Sequence, residues 1–204
     1  MSAMIPDMEN YFRGFIPPRD ALLLALEEEA ARESIPIVGP VVGELLYILA
    51  RTAGARNILE LGTASGYSAI YLARALPTGG KVISLELSDA MASRARANFL
   101  KAGLEKLVEV REGQALELMA AMTATFDLIF LDIDKESYAP ALSHCRRLLK
   151  VGGLLIADNV GFAGADAFNR EICSQKSWRA VHLLSFLPQH SPEKDGLTLA
   201  VRVD

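Results

Sequence analysis

The sequence predicts a single α/β domain with a doubly wound, mostly parallel sheet of seven strands and an antiparallel C-terminal strand. Short apolar runs alternate with helical patterns from residue 57 to residue 157, and repeated strand–helix units favour parallel strands with right-handed crossovers. The last two apolar runs have no helix between them, so they should pair antiparallel. A length of 204 residues suits one domain with one hydrophobic core. We expect that domain to span residues 1–204, and residues 57–204 to form its core.

Two helices are predicted ahead of the alternating region. Residues 17–33 carry apolar side chains at helical spacing, and Pro36 separates them from a second helix over residues 39–52. Because residues 1–52 lie outside the repeating units, we expect their helices to form a lid over the site or a dimer contact.

The strands of the alternating region are predicted from its short apolar runs. In chain order they cover residues 58–61, 81–87, 108–111, 127–131, 153–157, 180–187 and 197–203. The helices between them are expected over residues 66–76, 88–103, 115–124 and 138–149. Ser88 should cap the second of these helices, and Gly103 should end it.

Composition narrows the class of protein. Hydrophobic residues make up 51% of the chain and charged residues 23%, with a net charge of −4, so charge alone should not hold the protein to nucleic acid. A folded RNA substrate is not excluded by this charge.

Cys145 and Cys173 are isolated, which is typical of thiols in a reducing compartment. No secretory signal is recognisable, and no apolar run reaches the ~18 residues of a membrane span. We therefore expect a cytoplasmic protein without membrane contact.

A glycine-rich turn follows the first strand of the alternating region. Residues 59–68 read L-E-L-G-T-A-S-G-Y-S, in which Gly62 and Gly66 allow a tight exit from the strand and a close approach to a ligand. The following helix points its N-terminus at that ligand, and Ser68 can add a hydrogen bond. The G-x-A-x-G spacing differs from the dinucleotide pattern, so the anion is better explained as an amino-acid carboxylate than as a pyrophosphate. The alternatives are a turn without a ligand and a capping role for Ser68.

Glu86 ends the second strand of the alternating region, at the edge where open α/β sheets bind ligands. A carboxylate there can accept hydrogen bonds from both hydroxyls of a ribose. The alternative is a surface acid or the N-cap of the next helix.

Acidic residues also follow two later strands, which should be neighbours in the sheet. Asp132, Asp158 and Asn159 would then offer hard oxygen ligands near one point, which suits Mg²⁺, Mn²⁺ or Ca²⁺. Two carboxylates ~4 Å apart repel by about 4 kcal/mol at an effective dielectric of ~20, which favours a bound cation or a raised pKa. The alternatives are acids that cap the next helices and, for Lys135, an ion pair with a neighbouring acid.

Three segments carry a resemblance to a known family. They are residues 59–68, the run F-L-D-I-D-K-E-S-Y at 130–138 and the run L-L-K-V-G-G-L-L-I-A-D-N at 148–159. The chain resembles the cation-dependent class I O-methyltransferases, the group that contains the caffeoyl-CoA and catechol O-methyltransferases. The resemblance implies a Rossmann-like fold, S-adenosylmethionine as methyl donor, a divalent cation and a homodimer formed through the N-terminal helices.

The resemblance also implies roles for individual residues. It implies catalytic roles for Lys135, as general base, and for Asp132. It implies that the cation is held by Asp132, Asp158 and Asn159. It implies contacts with S-adenosylmethionine for Val38, Glu60, Gly62, Ser68, Glu86, Ala115 and Asp134.

The acceptor is the least determined part of the prediction. The segment 160–167 is shorter than the family's usual insertion, whereas the loop 188–194 is longer. The favoured acceptor is a small catechol-like or hydroxylated aromatic compound, and the alternative is a hydroxylated base in tRNA. A non-catalytic S-adenosylmethionine-binding protein is a third hypothesis, against which the intact residues Asp132, Lys135, Asp158 and Asn159 speak. The glycine spacing and the terminal hairpin disfavour a nicotinamide-dependent oxidoreductase.

Overall fold

One sheet of seven strands forms the centre of the computed structural model, which describes residues 3–204. The strands are β1 (Asn57–Leu61), β2 (Lys81–Glu86), β3 (Val108–Glu112), β4 (Phe126–Leu131), β5 (Leu149–Ala157), β6 (Trp178–Phe186) and β7 (Lys194–Arg202). They lie in the order β3-β2-β1-β4-β5-β7-β6. Strands β1 to β5 pair in parallel, and β7 runs antiparallel to both β5 and β6. The predicted fold class is confirmed.

The helices cover both faces of this sheet. They are α1 (Met8–Arg13), α2 (Ala21–Glu33), α3 (Gly39–Thr52), α4 (Tyr67–Ala75), α5 (Asp89–Lys101), α6 (Ala115–Ala121), α7 (Tyr138–Leu148) and α8 (Asp166–Ser174). Buried side chains of α2 to α5 form one apolar cluster, and those of α6 to α8 form another. Strand β1 contributes to both, since Ile58 belongs to the first cluster and Leu59 to the second. Alternate side chains point to opposite faces of a strand, so a strand covered on both faces is apolar throughout.

The N-terminal helices α2 and α3 are part of the core. Leu26 of α2 and Leu46 of α3 are buried in the same cluster as Ile58. Asp20 caps α2, because its carboxylate accepts a hydrogen bond of 2.9 Å from the backbone N–H of Leu23. The segment that reaches the candidate site is the loop 36–38 between the two helices. The dimer contact stays a prediction.

Several boundaries differ from the predicted ones. Strand β5 begins at Leu149 rather than at residue 153, because Leu149 pairs with Phe126 and helix α7 leads directly into the strand. Helices α1 and α8 were not predicted. Ser88 caps α5 as expected, and its hydroxyl accepts a hydrogen bond from the backbone N–H of Met91. Among residues 3–204, no helix combines the length and the apolar character needed to cross a membrane.

Candidate active site

A cavity of about 630 Å³ opens where the parallel strands end. Its volume lies in the range of small-molecule sites. The cavity is lined by Val38, Gly62, Ser68, Glu86, Ala115, Asp132, Asp134, Lys135, Asp158 and Asn159. The structure therefore brings together every residue predicted for the site except Glu60, which lies behind the cavity wall. The common location follows from the topology, because the carboxyl ends of parallel strands meet at one edge of a sheet.

The glycine turn is shaped by close packing within the protein. Gly62 and Gly66 have φ angles of +95° and +88°, which side chains rarely adopt. A Cβ atom on Gly62 would stand 2.0 Å from the carbonyl oxygen of Asp132, and one on Gly66 would stand 2.6 Å from the ring of Phe99. The sequence suggested that these two glycines allow a close approach to a ligand. In the structure they allow a close approach to the end of strand β4 and to helix α5.

Glu86 ties the end of β2 to this turn. Its Oε2 accepts hydrogen bonds from the backbone N–H groups of Thr63, at 3.2 Å, and Ala64, at 2.8 Å. Its Oε1 accepts one of 2.8 Å from the N–H of Ser88, the capping residue of α5. Glu86 is therefore not the N-cap that the alternative expectation named, since Ser88 has that position and Glu86 accepts a hydrogen bond from it. Its contact with a ribose stays a prediction, and such a contact would compete with these hydrogen bonds.

Glu60 is fully buried beneath the turn. Ser84 donates a hydrogen bond to its Oε2, whereas Oε1 has no partner within the part of the chain that the structure describes. Burial raises the pKa of Glu60 to about 7, although the hydroxyl groups of Ser68 and Ser84 favour the carboxylate. Oε1 of Glu60 is thus an acceptor still available to a donor near the turn.

Lys135 and Asp132 form an ion pair at the other end of the cavity. Lys135 Nζ lies 2.8 Å from Asp132 Oδ1 and 3.0 Å from the hydroxyl oxygen of Tyr138. The Tyr138 hydroxyl is buried, and it lies within hydrogen-bond distance of the carbonyl oxygens of Leu131, at 3.1 Å, and Asp158, at 2.9 Å. Tyr138 therefore fixes Lys135 against the ends of β4 and β5. The ion pair is the one that the sequence offered as an alternative for Lys135.

Asn159 lines the cavity, and its amide group is held through its nitrogen. Its Nδ2 donates a 2.7 Å hydrogen bond to Oδ2 of the buried Asp195, which leaves its Oδ1 as the atom available to a ligand. The backbone N–H of Asn159 donates to Asp158 Oδ1 at 2.8 Å. The other oxygen of that carboxylate, Oδ2, lies 2.9 Å from His190 Nε2.

Comparison with known proteins establishes the family. A model of the O-methyltransferase family matches residues 19–187. The chain belongs to the O-methyltransferase family. A catechol O-methyltransferase of Niastella koreensis is 38% identical over 159 residues, which are 75% of this chain and 72% of the relative. One of Mycobacterium tuberculosis is 36% identical over 158 residues, with 76% and 72% covered.

Solved structures agree with this family. An O-methyltransferase of Bacillus cereus in complex with SAH has a TM-score of 0.86 at 32% identity and covers 96% of both chains. TomG of Streptomyces achromogenes, an O-methyltransferase in complex with SAM, has a TM-score of 0.86 at 28% identity, with 97% of this chain and 96% of that chain covered. The predicted class of enzyme, an S-adenosylmethionine-dependent O-methyltransferase, is confirmed.

The acidic end of this methyltransferase's cavity fits a hard cation. Burial and the charge of Asp158 raise the pKa of Asp132, against the attraction of Lys135, so an additional positive charge would relieve a repulsion. Two carboxylates and the free Oδ1 of Asn159 supply oxygen donors that Mg²⁺, Mn²⁺ and Ca²⁺ prefer. Within residues 3–204 no three acidic, histidine or cysteine side chains already form a metal cluster, so such a site depends on the amide of Asn159.

Three residues of the methyltransferase site escaped the sequence analysis. Tyr138 lies in a quoted motif, yet its role in holding Lys135 depends on a contact that only the fold shows. Asp195 and His190 lie more than 30 positions after the residues that they contact. The unusual length of the loop 188–194 was the one available signal, and it pointed to the acceptor rather than to Asp158.

Proposed function

We propose that this O-methyltransferase transfers the methyl group of S-adenosylmethionine to one oxygen of a small vicinal diphenol or related hydroxylated aromatic compound, with a divalent cation held by Asp132, Asp158 and Asn159. The observation that carries this proposal is the juxtaposition, in one cavity, of these three oxygen-bearing side chains and the amine of Lys135. A cation there explains why two acids follow neighbouring strands at one edge of the sheet.

The methyl donor fits the other half of the cavity. Ser68 lines the cavity in the first turn of α4, where free backbone N–H groups favour a carboxylate. The orphaned Oε1 of Glu60 can accept a hydrogen bond from an ammonium group near the turn. Beyond Glu86, the side chains of Leu87, Ala115 and Leu116 give the cavity an apolar surface suited to a flat ring. We assign the remaining predicted contacts, Val38 and Asp134, to this donor as well.

Lys135 is proposed to take the proton from the reacting hydroxyl. A bound cation would supply Lewis-acid polarisation of that oxygen and favour its ionised form. A cation held by Asp132 would compete with Lys135 for that carboxylate, whereas the contact with Tyr138 would keep the amine in the cavity. Phe162 and Ser191 line the same cavity and can hold the acceptor in line with the donor, since orientation supplies much of the rate.

The charges around the cavity disfavour the tRNA alternative. Among the lining residues that the structure describes, Lys135 is the one lysine or arginine, and it is paired with Asp132. The same lining contains the acids Glu86, Asp132, Asp134 and Asp158. A polyanionic backbone gains affinity from clustered basic residues, which this entrance lacks. An intact Lys135–Tyr138–Asp158 arrangement also argues against a protein that binds the donor without turnover.

We also propose that the enzyme forms a homodimer through its N-terminal segment. Tyr11, Phe12 and Phe15 are exposed, and their rings contact one another. Exposed aromatic clusters are typical of protein interfaces. Light scattering on the purified enzyme, compared with a Phe12→Ser, Phe15→Ser variant, tests this proposal.

The experiment for the methyl transfer uses an unsymmetrical catechol, the corresponding monophenol and hydroxylated tRNA, each with S-adenosylmethionine and with or without a chelator. We expect turnover of the catechol alone, complete loss of turnover in chelator, and both mono-methyl products, because the segment 160–167 is short. Asp158→Asn should lower turnover by roughly 100-fold while S-adenosylmethionine still binds. Asp166→Asn, in an exposed ion pair on α8, is the matched control.

Each result decides one part of the proposal. Full activity in chelator would refute the cation. Turnover of the monophenol but not of the catechol would refute chelation of two adjacent oxygens. A single methylated product would show that the acceptor is held tightly despite the short segment. Activity on tRNA alone would favour the alternative acceptor.

A further inference from the structure

His190 is a buried side chain of the cavity to which the proposed mechanism gives no role. It lies in the loop 187–193 that joins β6 to β7, and its side chain is 1% exposed. It lines the same cavity as Asp132 and Asn159. The loop is attached to the site, since the side chain of Asn159 donates a hydrogen bond of 3.3 Å to the carbonyl oxygen of Ser191.

The orientation of the His190 ring is set by a backbone carbonyl. Its Nδ1 lies 2.7 Å from the carbonyl oxygen of Pro192. A carbonyl oxygen only accepts, so Nδ1 carries a hydrogen. In the charged ring Nε2 donates to Asp158, and in the neutral ring the lone pair is on Nε2. Histidines that bind metals commonly have this arrangement, in which the other ring nitrogen donates to a backbone carbonyl or a carboxylate.

The distance from Nε2 to Asp158 fits two ligands of one cation. Nε2 lies 2.9 Å from Asp158 Oδ2. Two atoms bound at right angles to a cation, each at roughly 2.1 Å, stand about 3.0 Å apart. Two lone pairs that face each other at this distance repel unless a proton or a cation lies near both. The Oδ1 of Asn159, the next residue after Asp158, is a third donor on a residue that lines the same cavity.

We propose that His190 is a ligand of the cation, so that the site is a mixed nitrogen–oxygen site that prefers Mn²⁺, Fe²⁺ or Co²⁺ to Mg²⁺ and Ca²⁺. This inference rests on the cation of the proposed function and adds the identity of the metal. Imidazole nitrogen binds first-row transition ions well, whereas Mg²⁺ and Ca²⁺ prefer sites made of oxygen alone. An acceptor with two adjacent oxygens would then bind to a transition-metal ion.

The test measures cation binding directly, without turnover. Titration calorimetry gives the affinities of Co²⁺, Mn²⁺ and Mg²⁺ for the tag-free full chain and for His190→Gln, His190→Ala and His182→Ala. His182 is exposed on β6, outside the cavity, and serves as the matched control. The visible absorption spectrum of bound Co²⁺ reports whether a nitrogen ligand is present. Binding of S-adenosylmethionine confirms that each variant is folded.

We expect both His190 variants to bind Co²⁺ and Mn²⁺ roughly 10- to 100-fold more weakly, with little change for Mg²⁺, and to shift the Co²⁺ spectrum. His182→Ala should behave as the unaltered enzyme. An equal loss for all three cations with an unchanged spectrum would overturn the inference, since His190 would then only donate a hydrogen bond to Asp158. Cation binding that no His190 variant alters would overturn it as well and leave the proposed function intact. An enzyme that binds none of the three cations would refute both.

Discussion

Ionisation of Glu60 should weaken the folded state of this methyltransferase as the pH rises to neutrality. The residue is fully buried, and burial raises its pKa from 4.5 to about 7. The unfolded chain thus loses this proton near the ordinary value, whereas the folded chain keeps it until about pH 7. Within that window the folded state binds more protons, so its stability falls as the pH rises and then levels off.

The magnitude follows from the size of the shift. A rise from 4.5 to about 7 corresponds, at about 1.4 kcal/mol per unit, to roughly 3 kcal/mol above pH 7. About 2.5 kcal/mol of this develops between about pH 5 and about pH 8. Glu60→Gln keeps the shape of the side chain and cannot ionise. Its new NH₂ group would replace an oxygen without a partner among the described residues, which costs about 1–3 kcal/mol at every pH. The pH dependence, rather than the absolute stability, is therefore diagnostic.

Urea unfolding of the cofactor-free enzyme at several values between about pH 5 and about pH 8 gives the free energies needed. The difference between Glu60→Gln and the unaltered enzyme should shift by about 2.5 kcal/mol in favour of the variant over this range. Glu105→Gln, which removes an exposed carboxyl, should show no such trend. Parallel pH profiles for Glu60→Gln and the unaltered enzyme would refute the buried, protonated state of Glu60.

Two further substitutions test the frame of the site. Gly62→Ala should lower the free energy of unfolding by more than about 2 kcal/mol, because its Cβ would stand 2.0 Å from the Asp132 carbonyl oxygen. Gly54 has a φ of +60°, and a Cβ atom there would have no described atom within 4 Å, so Gly54→Ala should lower the free energy of unfolding by only about 1 kcal/mol. Equal losses for the two variants in urea unfolding would exclude the close approach at Gly62. Tyr138→Phe removes an acceptor from Lys135, so kcat should fall while calorimetry shows unchanged S-adenosylmethionine binding. Unchanged kcat would exclude a positioning role for Tyr138.

The sheet could be predicted from the sequence because its strands are local and apolar. Runs such as residues 58–61 and 127–131 are buried on both faces, and their spacing implies the crossovers that make them parallel. The start of β5 could not be predicted, since Gly152 and Gly153 suggest a break and only the pairing of Leu149 with Phe126 extends the strand. Helix α8 buries only Phe168 and Ile172, which is a weak periodic signal in nine residues.

The site was predictable where topology alone determines it. Asp132 and Asp158 follow neighbouring parallel strands, so their meeting required no knowledge of side-chain contacts. The roles of His190 and Asp195 depend on contacts across more than 30 residues, and the unusual length of the loop 188–194 did not reveal these contacts. The glycines were correctly identified as special for the turn, but the atoms that exclude a side chain there belong to Asp132 and Phe99.

Three carboxylates that this site would offer to ligands already have partners within the protein. Asp132 is paired with Lys135, Asp158 with His190, and Glu86 with backbone N–H groups of the glycine turn. An unpaired carboxylate that is partly buried is costly, so these contacts stabilise the site before any ligand arrives. Ligand binding is then an exchange of partners. In the proposed mechanism this exchange would link two residues, because a cation held by Asp132 would compete with Lys135 for the same carboxylate. Lys135 would then keep its contact with Tyr138 and be free to accept the proton of the acceptor hydroxyl.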